Sequence, residues 1–345
     1  GLMALQASGQ IKYSDIIAEF GSPNTGGLGQ YRLDGGEDVG SLTNLPLDTG
    51  VPTSGQIKFS DFYSKKLNHI VDLHSIGDNT SRQIAKDRWN NGNVHIVGSS
   101  KTGKGQPPNT EDDRVIINVN NIIRSVKGTQ THCALRTGNW DTNTTLEIEI
   151  GTSGKLFGSG GDGGTGGNAN ETAGTVGQTG SSALGIEYPC TINNLGVIQS
   201  GYGGGGGGGG NTRTTGGGKK SGATTNGSSG GGGGGGAGLP AGDAGGVQTP
   251  LVQGGGSAGS AGQAGSLSGQ ATGGAGGSEA GAGGDSSPVN NSATKADNGA
   301  TASGAASPGT GGNNGYAIIT NQGSAPSLSG GGTLTGRTIT STNPT

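Results

Sequence analysis

Apolar and polar residues follow different periods in different parts of this chain, and the change of period divides it. Leu146-Glu-Ile-Glu-Ile150 alternates over its whole length, as a strand with one buried face does. Val115-Ile-Ile-Asn-Val119 is more continuously apolar, and Val94-His-Ile-Val97, His132-Cys-Ala-Leu135, Leu184-Gly-Ile186 and Val197-Ile198 read as further short strands. These segments predict a β core over residues 67–200. Tyr316-Ala-Ile-Ile-Thr320 predicts one last strand that returns to it. The tail from Asn321 is polar, rich in Ser and Thr, and is expected to fray.

From residue 201 to about residue 315 the period becomes three. Gly256-Ser-Ala-Gly259-Ser-Ala-Gly262-Gln-Ala-Gly265 repeats glycine every third residue, and residues 203–210 and 230–236 are unbroken glycine. Three residues per turn is the period of the polyproline II helix, which makes no internal hydrogen bonds, so its backbone groups must find partners on neighbouring chains. A face without Cβ permits the close approach that such bonds require. The tract is therefore expected to form a bundle of polyglycine II helices, with the all-glycine runs at its centre. Triplets already occur earlier, in Gly158-Ser-Gly-Gly161-Asp-Gly-Gly164-Thr-Gly-Gly167 and Gly174-Thr-Val-Gly177-Gln-Thr-Gly180, so the β region and the bundle share a boundary. A collagen-like triple helix is excluded by 12 prolines in 345 residues and by breaks after every few triplets.

The N-terminal region carries an internal repeat. Ser8-Gly-Gln-Ile-Lys-Tyr-Ser-Asp15 returns as Ser54-Gly-Gln-Ile-Lys-Phe-Ser-Asp61, differing only by Tyr13 against Phe59. In each copy Ser-Asp is placed to cap a short helix, over residues 16–20 and 62–66. With so little core of their own, the copies read as two pegs for a partner's surface; the alternative is two similar motifs packed on each other.

The expected architecture is thus mainly β in the N-terminal and middle parts, with a C-terminal polyglycine II bundle and little α-helix. Its divisions are a repeat-bearing region at 1–66, a β-rich domain at 67–200, the bundle at 201–320 and the polar tail at 321–345. With 82 glycines and 3% aromatic residues, a conventional core along the whole chain is impossible. A net charge of −3 without a basic block argues against nucleic acid, and no apolar run is long enough to insert into a membrane.

Candidate chemistry is sparse. Gly98-Ser-Ser-Lys-Thr-Gly103-Lys104 approaches a phosphate loop, but Gly105 stands where Ser or Thr should hold magnesium, and Gln106-Pro-Pro-Asn109 follows where a helix should begin. His69, His74, His95 and His132 lack metal-ligand spacing with one another and with Cys133 and Cys190, which are expected to be buried free thiols, the alternative being a bridge between their two strands. Glu147 and Glu149 belong to the polar face of a strand. No cofactor, metal or catalytic group is expected.

The repeat, Leu45-Pro-Leu-Asp-Thr-Gly50 and Ser182-Ala-Leu-Gly-Ile-Glu-Tyr-Pro189 resemble glycine-rich structural proteins of tailed bacteriophages, especially those of marine bacteria. The glycine tract is similar to the tip adhesins of T-even-type tail fibres, whose distal domain is a sandwich of polyglycine II helices with variable loops. That resemblance implies a virion protein of the tail tip or tail fibre, assembled in the host cytoplasm, that binds a receptor on the bacterial surface. It implies attachment to other tail proteins through Gly9, Gln10, Ile11, Lys12 and Tyr13 and their counterparts Gly55, Gln56, Ile57, Lys58 and Phe59. A purely structural connector in the baseplate or fibre is the alternative; an ice-binding polyglycine protein shares the bundle logic but leaves the repeat without a role.

Six glycine segments, joined by breaks, can be traced as an up-and-down path. The longer breaks at residues 211–229, 247–253 and 285–302 then share one end and the short ones at 239–241 and 266–272 the other. The long breaks carry Arg213, Lys219, Lys220, Val289, Asn290 and Lys295, the candidate receptor-facing residues.

Overall fold

A computed structural model describes residues 5–20, 22–23, 28–31, 50–52, 55–65, 68–73, 80–90, 94–95, 101–102, 114–141, 144–168, 173–215, 224–246 and 309–345. Fifteen of its strands form three parallel sheets that the chain visits in rotation. The first sheet holds Asn68–Asp72, Arg114–Val119, Thr145–Ile150, Cys190–Asn194 and Ser327–Ser329. The second holds Thr80–Ser81, Ile122–Arg124, Lys155–Phe157, Val197–Gln199 and Thr333–Thr335, and the third holds Gln83–Ile84, Cys133–Arg136, Ser182–Ile186, Tyr316–Thr320 and Arg337–Ile339. Each circuit adds one strand to every sheet in the same order, so the molecule is a three-sided parallel β-helix of five coils.

The register explains why these segments became strands. Val71, Ile117, Ile148, Ile192 and Leu328 are stacked partners on the first side, and Ile123, Leu156, Ile198 and Leu334 on the second. Leu135, Leu184 and Ile318 form the third column. The members on the inner coils are buried in one apolar cluster. Burying a side chain of this size contributes roughly 1.5–3 kcal/mol, and stacking like on like lets each coil's apolar row cover the one beneath.

The chain is divided differently from the linear scheme 67–200, 201–320 and 321–345. It leaves the β-helix twice at the same corner, between the second and third sheets. Residues 158–181 leave from the third coil and residues 200–315 from the fourth. The expected return of Tyr316–Thr320 to the β core is observed, in parallel with Ser182–Ile186. The expected fraying after Asn321 is not. Ser327–Ser329, Thr333–Thr335 and Arg337–Ile339 form the fifth coil, and Pro344 is buried against the third sheet, where Gly185 leaves it room. Thr345 then exchanges backbone bonds with Thr131 and Cys133 of the second coil. One apolar residue per three-residue strand is too few to show a period, yet it is enough to sit on the coil beneath.

In the N-terminal region an α-helix spans Tyr13–Phe20 and a 3₁₀ turn spans Phe59–Phe62. Both begin earlier than the expected 16–20 and 62–66. The reason is common to both copies: Asp15 and Asp61 sit in the first turn and accept the backbone N–H of Lys12 at 2.8 Å and of Lys58 at 2.7 Å. The copies pack on each other rather than standing as separate pegs. Ile16, Tyr31 and Phe62 are fully buried in a shared cluster with Leu5, Ile11 and Val51, against which Tyr13 and Ile57 lean. Strand Val94–His95 pairs antiparallel with the first coil, and Ser22–Pro23 pairs with Lys101–Thr102.

Candidate functional site

The glycine excursions are continuous with the strands that launch them. Gly158 donates to Gln199 at 2.8 Å, extending the pairing of Lys155–Phe157 with Val197–Gln199 beyond the corner. Gly161, Gly164 and Gly167 then donate to Tyr202, Gly205 and Gly208, one bond every third residue. Residues 201–210 are the centre of the packing. They donate to residues 175–181 and 231–237 and accept from residues 161–167 and 309–315, all at 2.7–2.9 Å. A strand would bond two neighbours in one plane; this segment bonds four around its axis.

Two of every three positions in residues 158–167 face another backbone. A Cβ on Gly160 would lie 2.0 Å from the Gly236 carbonyl oxygen, and one on Gly161 would lie 2.0 Å from that of Gln178. The third position carries Ser159, Asp162 and Thr165. The same crowding recurs at Gly203, Gly204, Gly206 and Gly207, which would meet Gly312, Asp162, Gly309 and Thr165. Glycine is required here because no side chain fits between the backbones.

The second-coil corner, residues 125–132, braces the base of these segments. Lys127 Nζ donates to Asp162 Oδ1 at 2.5 Å and to Asp243 Oδ2 at 2.7 Å, and the Asp243 N–H donates to the same Asp162 oxygen at 2.7 Å. Burial pulls the Lys127 pKa down, but the hydrogen bonds and charges of the two carboxylates outweigh it and leave the pKa raised. Gln130 adds a bond to the Asn314 carbonyl, whose side chain in turn accepts from Gly203 N–H at 3.0 Å.

At the end remote from the β-helix, bonds from Gly167 to Gly208, Gly208 to Gly231, Gly166 to Gly246 and Gly309 to Gly207 bring five segments to one level. The connections 169–172, 211–229 and 247–308 all depart from this end, while the turn at 238–241 lies at the base, where Leu239 donates to Gly158. Asn211–Thr215 and Thr224–Ser228 form an antiparallel hairpin there. Arg213 is in that hairpin, opposite Asn226. Lys219, Lys220, Val289, Asn290 and Lys295 lie outside the described residues.

Of the attachment residues, Gly9, Gln10, Lys12, Gly55, Gln56, Lys58 and Phe59 are exposed, whereas Ile11 is buried and Tyr13 and Ile57 are half-buried. Tyr13 lies edge-on to Tyr31 at 6.3 Å. Sequence reasoning missed the Lys127 brace altogether: its three members come from distant stretches, and only the corner geometry brings them together.

Among the described residues, no group of three His, Cys, Asp or Glu side chains stands at metal-binding distance. Glu147 is engaged by Arg114 in a two-pronged pair at 2.9 and 3.0 Å, and Glu149 accepts from Asn193 at 2.7 Å. Burial raises the Glu149 pKa, with the neighbouring Glu147 adding to the effect. Cys133 and Cys190 are both free, and burial pushes both thiols up to about 12. His69 lies in the first-coil strand Asn68–Asp72 and His95 in the antiparallel strand Val94–His95 beside it, whereas His74 and residues 98–100 and 103–109 of the phosphate-loop-like stretch lie outside the described residues. No described helix is long and apolar enough to cross a membrane.

The family model described as phage tail fibre adhesin Gp38 matches residues 89–339. That span covers four of the five coils and both glycine excursions, and it excludes the repeat region. No curated protein matches the chain, and no solved structure does.

Proposed function

The chain belongs to the phage tail fibre adhesin Gp38 family, and from that premise we propose that it is the receptor-binding tip of a tail fibre, carried on the virion by its N-terminal repeats. As a tail fibre adhesin it is a component of the virion tail that meets the host surface and other tail proteins. The finer reading has three parts. The glycine segments are polyglycine II helices, which accounts for bonds that recur every third residue and radiate to four neighbours. The remote end of that bundle is the receptor face, formed by the 211–229 and 247–308 connections with Arg213, Lys219, Lys220, Val289, Asn290 and Lys295. The region 1–66 is the attachment region, and assembly takes place in the host cytoplasm.

The observation that carries the receptor reading is the convergence of the long connections on one end of a backbone-bonded scaffold. Such a scaffold holds its shape without using the loops, so their sequences are free to change with the receptor. The reading assigns the chain recognition without a catalytic step or cofactor. Grafting residues 211–229 and 285–302 from a related phage of different host range tests it. Transfer of host range with intact particles is expected; intact particles that keep the original host range would refute it.

A further inference from the structure

The repeated octapeptide holds more identity than its fold requires. Gly9 and Gly55 have φ of +94° and +75°, a left-handed backbone that other residues rarely adopt, and neither has a crowding neighbour among the described residues. Ile11 and Ile57 supply the shared core, and Asp15 and Asp61 close the first helical turn. Those three pairs have structural reasons to be alike.

Gln10 and Gln56, and Lys12 and Lys58, show none among the described residues. All four are exposed, and their side chains make no ion pair or hydrogen bond within the described residues. Similarity also stops at the edge of the octapeptide, since residues 16–20 read IIAEF and residues 62–66 read FYSKK. Exposed identity thus survives where buried neighbours have diverged, the reverse of what folding alone preserves. The two copies are held side by side on one core, with the Tyr63 hydroxyl donating to the Gly9 carbonyl and Ser64 N–H to Leu5 at 3.0 Å. A left-handed Gly and a Lys N–H donating to Asp recur in both copies, so the two Gln-Ile-Lys segments are launched and closed by the same local contacts.

We propose that these segments are twin docking sites that engage two equivalent sites on a homo-oligomeric tail protein. Each partner site offers a carboxylate for the lysine and a carbonyl or amide for the glutamine. Phe59, exposed where Tyr13 is half-buried, adds an apolar contact to the second site alone. The proposal rests on the N-terminal attachment reading and goes beyond it by fixing the symmetry of the partner. Two linked sites act as one, because occupancy of the first presents the second at an effective concentration in the millimolar range.

The test uses phage particles lacking this chain, supplied with the full-length protein over a range of concentrations, and counts bound copies per particle by quantitative mass spectrometry. Q10A/K12A and Q56A/K58A are each expected to weaken binding by ~10²-fold or more, while thermal melts of the free protein stay unchanged because all four side chains are exposed. K12R/K58R keeps both charges and is expected to retain most of the binding. If either double variant binds like wild type, the twin-site proposal is overturned. Deleting residues 4–66 separates the two readings: lost binding of that deletion beside normal binding of both double variants leaves attachment standing and removes only the twin sites. Normal binding of the deletion removes both.

Discussion

Replacing Gly233 by alanine is expected to damage the glycine scaffold far more than the same change at Gly246, although both belong to it. At Gly233 the new Cβ would lie 2.0 Å from the Gly205 carbonyl oxygen and 2.5 Å from its carbon. Ordinary contact needs at least ~3.4 Å, so one backbone must retreat by more than ~1 Å. Gly233 donates to Gly164 and accepts from Gly245, each at 2.8 Å, and Gly205 donates to Gly234 at the same distance. A shift of that size breaks two or three of these bonds in a buried setting, at about 1–3 kcal/mol for each group left unpaired. Alanine returns about 0.4–1 kcal/mol by restricting the unfolded chain, which leaves a net loss of about 1–9 kcal/mol with one group left unpaired per broken bond. At Gly246 the Cβ would meet, among the described residues, only Thr165 Cγ2, at 4.0 Å, so the unfolded-state term remains and the variant should be neutral or slightly stabilised. Denaturant melts of the two variants, with amide exchange at Gly164 and Gly245, provide the comparison. Equal shifts for Gly233→Ala and Gly246→Ala would refute close backbone packing.

Three further outcomes are expected. Lys127→Met should cost about 1 kcal/mol, discounted because Asp243 is 79% exposed. With the Lys127 pKa raised on folding, its contribution is complete below its ordinary value of 10.5 and is lost as pH rises through the folded value, so wild type and Lys127→Met should converge in melting temperature at strongly alkaline pH; a gap that widens there would contradict the brace. Cys133 and Cys190 should react with a thiol reagent slowly at pH 8 in the native protein and both promptly in denaturant, and rapid native labelling of Cys133 would show that it is not buried. Removing residues 324–345 should lower the melting temperature markedly by uncovering Ile192, Ile198 and Ile318, whereas an unchanged melt would restore the view of a frayed tail.

Several strands were legible because their apolar residues are dense enough to show a pattern. The expected 115–119, 146–150, 184–186 and 197–198 fall within Arg114–Val119, Thr145–Ile150, Ser182–Ile186 and Val197–Gln199. The fifth coil was not legible, since Leu328 and Leu334 are single apolar residues in polar triplets and are recognisable only from the isoleucines beneath them. The candidate receptor face was only partly so: loop parity set the 211–229 and 247–253 breaks at one end, but Lys219, Lys220, Val289, Asn290 and Lys295 lie outside the described residues.

By itself the sequence determined local matters: which short segments extend, that glycine recurs with the period of a three-residue turn, and that one octapeptide occurs twice. These follow from sterics and solubility acting over a few residues. Tertiary structure decided that the strands stack in parallel coils, that both glycine excursions leave through one corner, and that the repeats share a core. Partners in a parallel β-helix are one circuit apart, and the fourth circuit contains the whole excursion at residues 200–315. Pairing across such a separation is fixed by the match of stacked side chains and closed backbone bonds, a property of the assembled coils that no local period records.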